Sequence, residues 1–218
     1  MKVGIDGVLL GAWVDLTLAS KIIDAGTGTG LIALMLAQRC SGMITAVEMD
    51  GEAALEARSN ADHSPWGDRI TIVHNTFQNF ALDQTASFDL IVSNPPYFTS
   101  GTKPLHNQRA AARHNHQLPL PDLLSGCASI LNTEGRIALV LPATDESALV
   151  RYADAAGFAL LRITRVRPNP VKPFHRILVE LSRNAPQILE DTLTIEGETH
   201  FDYTREYREL TRDFYPAF

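Results

Sequence analysis

Cysteine and long apolar runs are both scarce in this chain. Of its 218 residues only Cys40 and Cys127 are cysteines. They lie far apart, each after a helix-like apolar run, which suits reduced core thiols better than a disulfide scaffold. No apolar stretch is long enough to span a bilayer. Met1-Lys2 leads straight into a segment holding glycine and aspartate, not into the basic and apolar succession of a secretion signal. A cytoplasmic protein is expected. Internal repeats and low-complexity tracts are also missing. Hydrophobic residues make up 45% of the chain. That is enough for one α/β domain with a sizeable core and too little chain for two, so a single domain over 1–218 is expected.

Acid is missing from one place in particular. The net charge is −6 and the pI is near 5.6, a balance that by itself points away from a nucleic-acid binder. Yet from Leu90 to Pro121 there is no Asp or Glu, while Lys103, Arg109 and Arg113 fall there with His106, His114 and His116. A second basic stretch runs through Arg162, Arg165, Arg167, Lys172 and Arg176 to Arg183, opposed only by Glu180. Such asymmetry places a positive face on a negative molecule. The histidines have no neighbouring acids or cysteines, so no metal site is expected.

What is present alternates. Strand-like runs at 21–24, 43–48, 70–73, 88–93 and 137–141 are interleaved with helical patterns at 31–39, 52–59, 121–131 and 145–156. Two further strands, 160–166 and 176–181, follow without a helix between them. The pattern predicts an α/β fold with a doubly wound, mostly parallel, seven-stranded sheet. Its last pair should be antiparallel, because the Pro-rich link between them is too short for a crossover helix. The odd spacing of Arg162, Arg165 and Arg167 fits either a nucleic-acid contact or the solvent side of an edge strand. Trp13 and Trp66 read as packing anchors. Residues 98–121 read as a substrate-binding insertion, since long loops in compact domains are usually functional or mobile.

Between the first strand and the first helix lies Asp24-Ala25-Gly26-Thr27-Gly28-Thr29-Gly30. Glycines at alternate positions allow tight turning and close approach of backbone to a ligand. The spacing is not that of dinucleotide enzymes, and an acid stands just before it where a pyrophosphate would be repelled. The loop therefore suits a nucleoside ligand without phosphates. Glu48 ends the second strand, placed to accept both ribose hydroxyls, with Asp50 as the alternative.

Asn94-Pro95-Pro96-Tyr97 follows the apolar run 88–93. A buried strand thus delivers a carboxamide, two prolines and an aromatic ring to its carboxyl end, where ligands of open sheets bind. An exocyclic ring amine is planar, with its lone pair drawn into the ring. Two acceptors on its hydrogens localise that pair. Asn94 offers a side-chain carbonyl, and Pro95 a backbone carbonyl without a competing N–H. Pro96 stiffens the turn, and Tyr97 offers a stacking face for an extruded base.

In this order, the glycine loop, Glu48 and the Asn94–Tyr97 tetrad resemble the class I S-adenosylmethionine-dependent amino-methyltransferases. Three further regions narrow the resemblance to the bacterial transfer-RNA adenine-N6 methyltransferases that modify valine tRNA beside the anticodon. They are the opening segment 2–13, the stretch 98–114, and the Pro173-Phe174-His175-Arg176 turn with the tail 203–215. This resemblance implies S-adenosylmethionine as methyl donor and tRNA as substrate. It places Lys2 and Asp6 near the methionine end of the cofactor, lines it with Asp24, Gly26, Gly28 and Gly30, and puts Glu48 on the ribose and Met49 against the adenine. Where the family has an acid after the third strand, this chain has Asn75-Thr76-Phe77, and the Thr76 hydroxyl is the remaining acceptor for the cofactor's adenine amine. The family's chains usually have a further stretch before the opening segment.

Lys103, Arg109, Arg113 and Lys172 are candidates for phosphates, and His114 and Arg176 for splayed bases. Two alternatives stay open at this point. The tetrad would grip a protein glutamine amide equally well, and an RNA-binding module that no longer uses cofactor would retain the basic stretches.

Overall fold

The computed structural model describes residues 4–84, 88–96 and 118–215. Helix α1 (Ile5–Trp13) precedes an alternation of β1 (Lys21–Ala25), α2 (Leu31–Arg39), β2 (Met43–Glu48), α3 (Gly51–Asp62), β3 (Ile70–His74), α4 (Phe77–Leu82) and β4 (Phe88–Ser93). Then follow α5 (Leu120–Ile130), β5 (Leu131–Pro142), α6 (Glu146–Ala155), β6 (Ala159–Arg167), β7 (Arg176–Ser182), β8 (Leu189–Thr194) and α7 (Arg205–Thr211). One sheet results, in the order β3-β2-β1-β4-β5-β7-β6-β8. Pairing from β3 through β5 is parallel. Among the described strands β7 alone runs the other way, antiparallel to both β5 and β6, while β8 lies parallel to β6.

The central strands are apolar along their length because both faces are covered. Ile22, Leu90, Val92, Ala138 and Val140 face α1, α2, α3 and α7, whose contributions include Leu9, Leu36, Ala57 and Tyr207. Ile23, Ile91, Ile137, Leu139 and Val179 face α4, α5 and α6 through Phe80, Leu123, Leu124 and Leu149. Side chains close several helix starts, as orphan N–H groups require. Asp50 caps α3 at Ala53 N, Thr76 caps α4 at Asn79 N, and Thr204 caps α7 at Tyr207 N.

The α/β class, the parallel body and the antiparallel pairing of 160–166 with 176–181 stand as the sequence predicts. The sheet differs in having an eighth strand. In Leu189–Thr194 four of six residues are exposed, so β8 has no apolar run to announce it. It also covers β6, which is therefore not an edge strand. Strand β5 begins at Leu131 rather than at 137. Both cysteines are free thiols, Cys127 buried and Cys40 partly so; burial raises the Cys127 pKa. Trp13 is an anchor, its Nε1 donating to Thr164 Oγ1 at 2.9 Å, and Trp66 packs on the same core. Among the described residues no helix is long and apolar enough to cross a membrane.

Candidate active site

Strand β1 lies between β2 and β4. At its carboxyl end successive connections depart to opposite sides, which opens a crevice. The glycine loop after β1 and the turn after β4 meet there. Ser93 Oγ donates to the Ala25 carbonyl oxygen at 2.7 Å, fastening the two strand ends together. Above them lies a cavity of ≈ 380 Å³, within the range of small-ligand sites. Its wall includes Gly26 and Gly28 from the loop, Glu48 and Met49 from the end of β2, and Asn94, Pro95 and Pro96 from the turn after β4.

The loop turns through left-handed backbone, with φ of 74° at Gly26, 60° at Gly28 and 88° at Gly30. A Cβ at Gly30 would also stand 3.4 Å from Ala57 of α3. Gly26 N and Thr27 N both donate to the Val47 carbonyl, at 2.9 and 3.1 Å, folding the loop onto β2. Glu48 is buried. Its Oε2 accepts from Gly28 N at 2.8 Å, and its Oε1 accepts from Met49 N and Asp50 N at 2.9 and 2.8 Å. Three backbone donors thus fix the carboxylate, and further lone pairs remain for a ligand. Asp50, the alternative acid, instead caps α3.

Asp24 lies beneath the loop, fully buried. Its Oδ2 accepts from Thr27 Oγ1 at 2.5 Å and from Ala33 N at 3.0 Å. Its Oδ1 has no hydrogen-bond partner among the described residues. Burial, with a lesser push from Glu48, raises its pKa from 3.8 to about 7 against those two bonds. The site therefore holds one fixed carboxylate on its wall and an incompletely bonded one just below, a surround that favours a cationic, hydroxyl-rich ligand over a phosphate.

Other expected contacts fall elsewhere. Thr76 and Phe77 are not on the cavity wall. The Thr76 hydroxyl is engaged in capping α4. Phe77 is buried against α5, where a Cβ on Gly126 would lie 2.8 Å from its Cε1. Asp6 and Arg176, expected on the cofactor and on RNA respectively, form an ion pair with each other at 3.0 Å. Arg162 lies 3.7 Å over the Trp13 ring and pairs with Glu180 at 3.2 Å. Arg165 joins Glu146 and Glu190 at 2.6 and 2.8 Å, and Arg167 donates to Thr194 Oγ1 at 2.9 Å. Arg162 and Arg165 are thus neutralised by carboxylates, whereas the half-exposed Arg167 has only neutral oxygen partners among the described residues. Lys172 is exposed on the β6–β7 connection, at the carboxyl edge of the parallel strands. Lys2, Tyr97, Lys103, Arg109, Arg113 and His114 lie outside the described residues.

The cavity also has wall residues that sequence reasoning did not single out as contacts, among them Gly4 and Gly7 of the opening segment, Leu31 and Ile32 of α2, and Leu118 just before α5. Gly7 carried a signal, since close approach to a neighbour is a common reason for glycine in a helix, and a Cβ there would stand 3.4 Å from Leu31 of α2. Leu118 carried none.

Comparison with known proteins identifies the family and the fold. The family described as "Methyltransferase small domain" matches residues 7–147. The tRNA1(Val) (adenine(37)-N6)-methyltransferase of Trichodesmium erythraeum is 43% identical over 218 residues, covering 99% of this chain and 91% of that one. Its namesake from Vibrio vulnificus is 42% identical over 217 residues, covering 99% and 89%. Among solved structures, a predicted O-methyltransferase from Agrobacterium tumefaciens superposes with a TM-score of 0.77 at 20% identity, covering 95% of this chain and 96% of that one. A ribosomal protein L11 methylase from Lactobacillus delbrueckii gives 0.57 at 18% identity, covering 82% and 77%. These two share the fold. The full-length relatives and the matched domain together establish that this chain belongs to the methyltransferase small domain family, in the branch of the tRNA1(Val) (adenine(37)-N6)-methyltransferases.

Proposed function

We propose that the protein transfers a methyl group from S-adenosylmethionine to the exocyclic N6 amine of an adenine in tRNA, with adenine 37 of a valine tRNA as the substrate suggested by its relatives' names. One observation carries the reading: Asn94 and Pro95 share one cavity wall with Gly26, Gly28 and Glu48, so an amine grip adjoins a nucleoside grip.

The residues present fit the methyl donor. Glu48, held by backbone N–H groups, would accept the ribose hydroxyls, Met49 would lie against the adenine, and the glycines would admit the ligand close to backbone. When bound, S-adenosylmethionine supplies an electrophilic methyl group on a sulfonium centre. Asn94 holds one hydrogen of the target amine through its side-chain carbonyl, and Pro95 holds the other through its backbone carbonyl. The nitrogen lone pair is thereby turned out of conjugation toward the donor side. Positioning and exclusion of water supply the catalysis. Once the new N–C bond forms the amine's surplus proton would pass to solvent, so no side chain of tuned pKa is needed there. Tyr97 is assigned to stacking on the extruded base, and Lys103, Arg109, Arg113, His114 and Lys172 to the surrounding RNA.

The test is transfer of radiolabelled methyl from S-adenosylmethionine to bulk tRNA lacking modifications, followed by nucleoside analysis. Labelled N6-methyladenosine is expected. Label on a protein glutamine and none on tRNA would overturn the reading.

A further inference from the structure

Helix α1 is a poor helix by itself. It has 9 residues, and its N-cap, Gly4, makes no side-chain cap bond. Gly7 and Gly11 within it each cost about 1 kcal/mol of helix propensity relative to alanine, and so short a helix is not stable alone in water. Yet Gly4 and Gly7 form part of the cavity wall. Something outside the helix must hold its first turn in place.

Asp6 sits in that turn, between the two glycines. Its Oδ2 accepts from Arg176 Nε at 3.0 Å, and the two side chains are only 15% and 23% exposed. Arg176 opens β7, opposite Pro142 of β5 and Val166 of β6. Because β7 runs against its neighbours, its first residue stands at the ligand edge of the sheet. There Arg176 Nη1 also donates to the His175 carbonyl at 3.0 Å, and the same carbonyl accepts from Ala143 N at 3.1 Å. The guanidinium is therefore braced from the sheet before it reaches Asp6. The Asp6 carboxylate gains as well from its place at the positive end of α1.

We propose that Arg176 is a positioning residue for the cofactor cavity. Through Asp6 it pins the first turn of α1, and with it the wall that Gly4 and Gly7 provide. This rests on the function proposed above and moves Arg176 from the RNA side of the reaction to the methyl-donor side.

The experiment uses the whole chain and two measurements that need no turnover. S-adenosylmethionine affinity is read by calorimetry in wild type, Arg176→Ala, Arg176→Lys, Asp6→Asn and the Arg176→Ala/Asp6→Asn double variant. Amide hydrogen exchange across 5–13 is read without ligand. The alanine variant is expected to bind S-adenosylmethionine about tenfold more weakly, the size of one lost charge-assisted bond. The double variant should be no worse than the worse single one, and the lysine variant should recover most of the loss. Exchange in α1 should quicken while β1 and β4 stay protected, and tRNA affinity without cofactor should not change. Unchanged S-adenosylmethionine affinity in Arg176→Ala would overturn the proposal. So would a loss confined to tRNA binding, which would return Arg176 to the RNA. A wild-type chain that binds no S-adenosylmethionine would instead defeat the functional reading beneath it.

Discussion

Asp24 is the residue whose burial costs the fold most visibly. Its folded pKa of about 7 lies above the ordinary value of 3.8. Below the ordinary value it is protonated whether the chain is folded or not, and stability is unaffected. As pH rises through the folded value the native state must bury a charge, so stability is lost between roughly pH 4 and 7. The span corresponds to about 4 kcal/mol. We expect the melting temperature without ligand to fall across that window, and the slope to flatten in Asp24→Asn. An unchanged slope in the variant would show that other groups set the pH dependence. Asn94 differs in that the proposed function gives it the target amine to hold, on the same wall as the nucleoside grip. Asn94→Ala should lower kcat by at least about a hundredfold, with calorimetric S-adenosylmethionine affinity kept. Retained turnover would remove Asn94 from the proposed role. These site residues were legible in the sequence because each stands at a strand end, and strand ends converge in an open sheet. The pairing of Asp6 with Arg176 was not. They are 170 positions apart, and only the reversed direction of β7 brings them together.

At the level of elements, the link between β1 and α2 is the most constrained. Gly30 combines a φ of 88° with a neighbour in α3. Gly30→Ala should therefore cost about 1–2 kcal/mol, seen as a lower midpoint in urea with an unchanged slope. A midpoint equal to wild type would mean that the α2–α3 contact yields without strain. Strands β1, β2 and β4 were readable because central strands need apolar side chains on both faces. Strand β8 was not, since its outer residues face water and obey no such rule. Helix α1 was hidden in another way. Its glycines lower helix propensity, while seven of its nine residues are buried, so it lacks the one-sided apolar stripe by which surface helices are recognised.

For the whole molecule the question is how a chain of net charge −6 meets RNA. Arg162 and Arg165 do not answer it, because carboxylates neutralise them. The proposed function assigns the electrostatic contact to the acid-free stretch after Tyr97, together with Lys172. Reversing charge at Arg109 and Arg113 together should weaken tRNA binding by about tenfold or more at moderate salt and reduce its salt dependence by about two counterions. S-adenosylmethionine affinity should not change. If binding and salt slope both stayed as in wild type, the contact would have to lie elsewhere on the surface.

The reversed strand β7 has one more consequence. Helical crossovers join β1 through β6 in succession, but the β6–β7 connection turns back on itself at the ligand edge without passing behind the sheet. Chain there can be lengthened, shortened or replaced without disturbing strand order or the nucleoside grip at β1 and β2. Residues 168–174 are therefore the segment to exchange when asking whether this edge takes part in substrate choice.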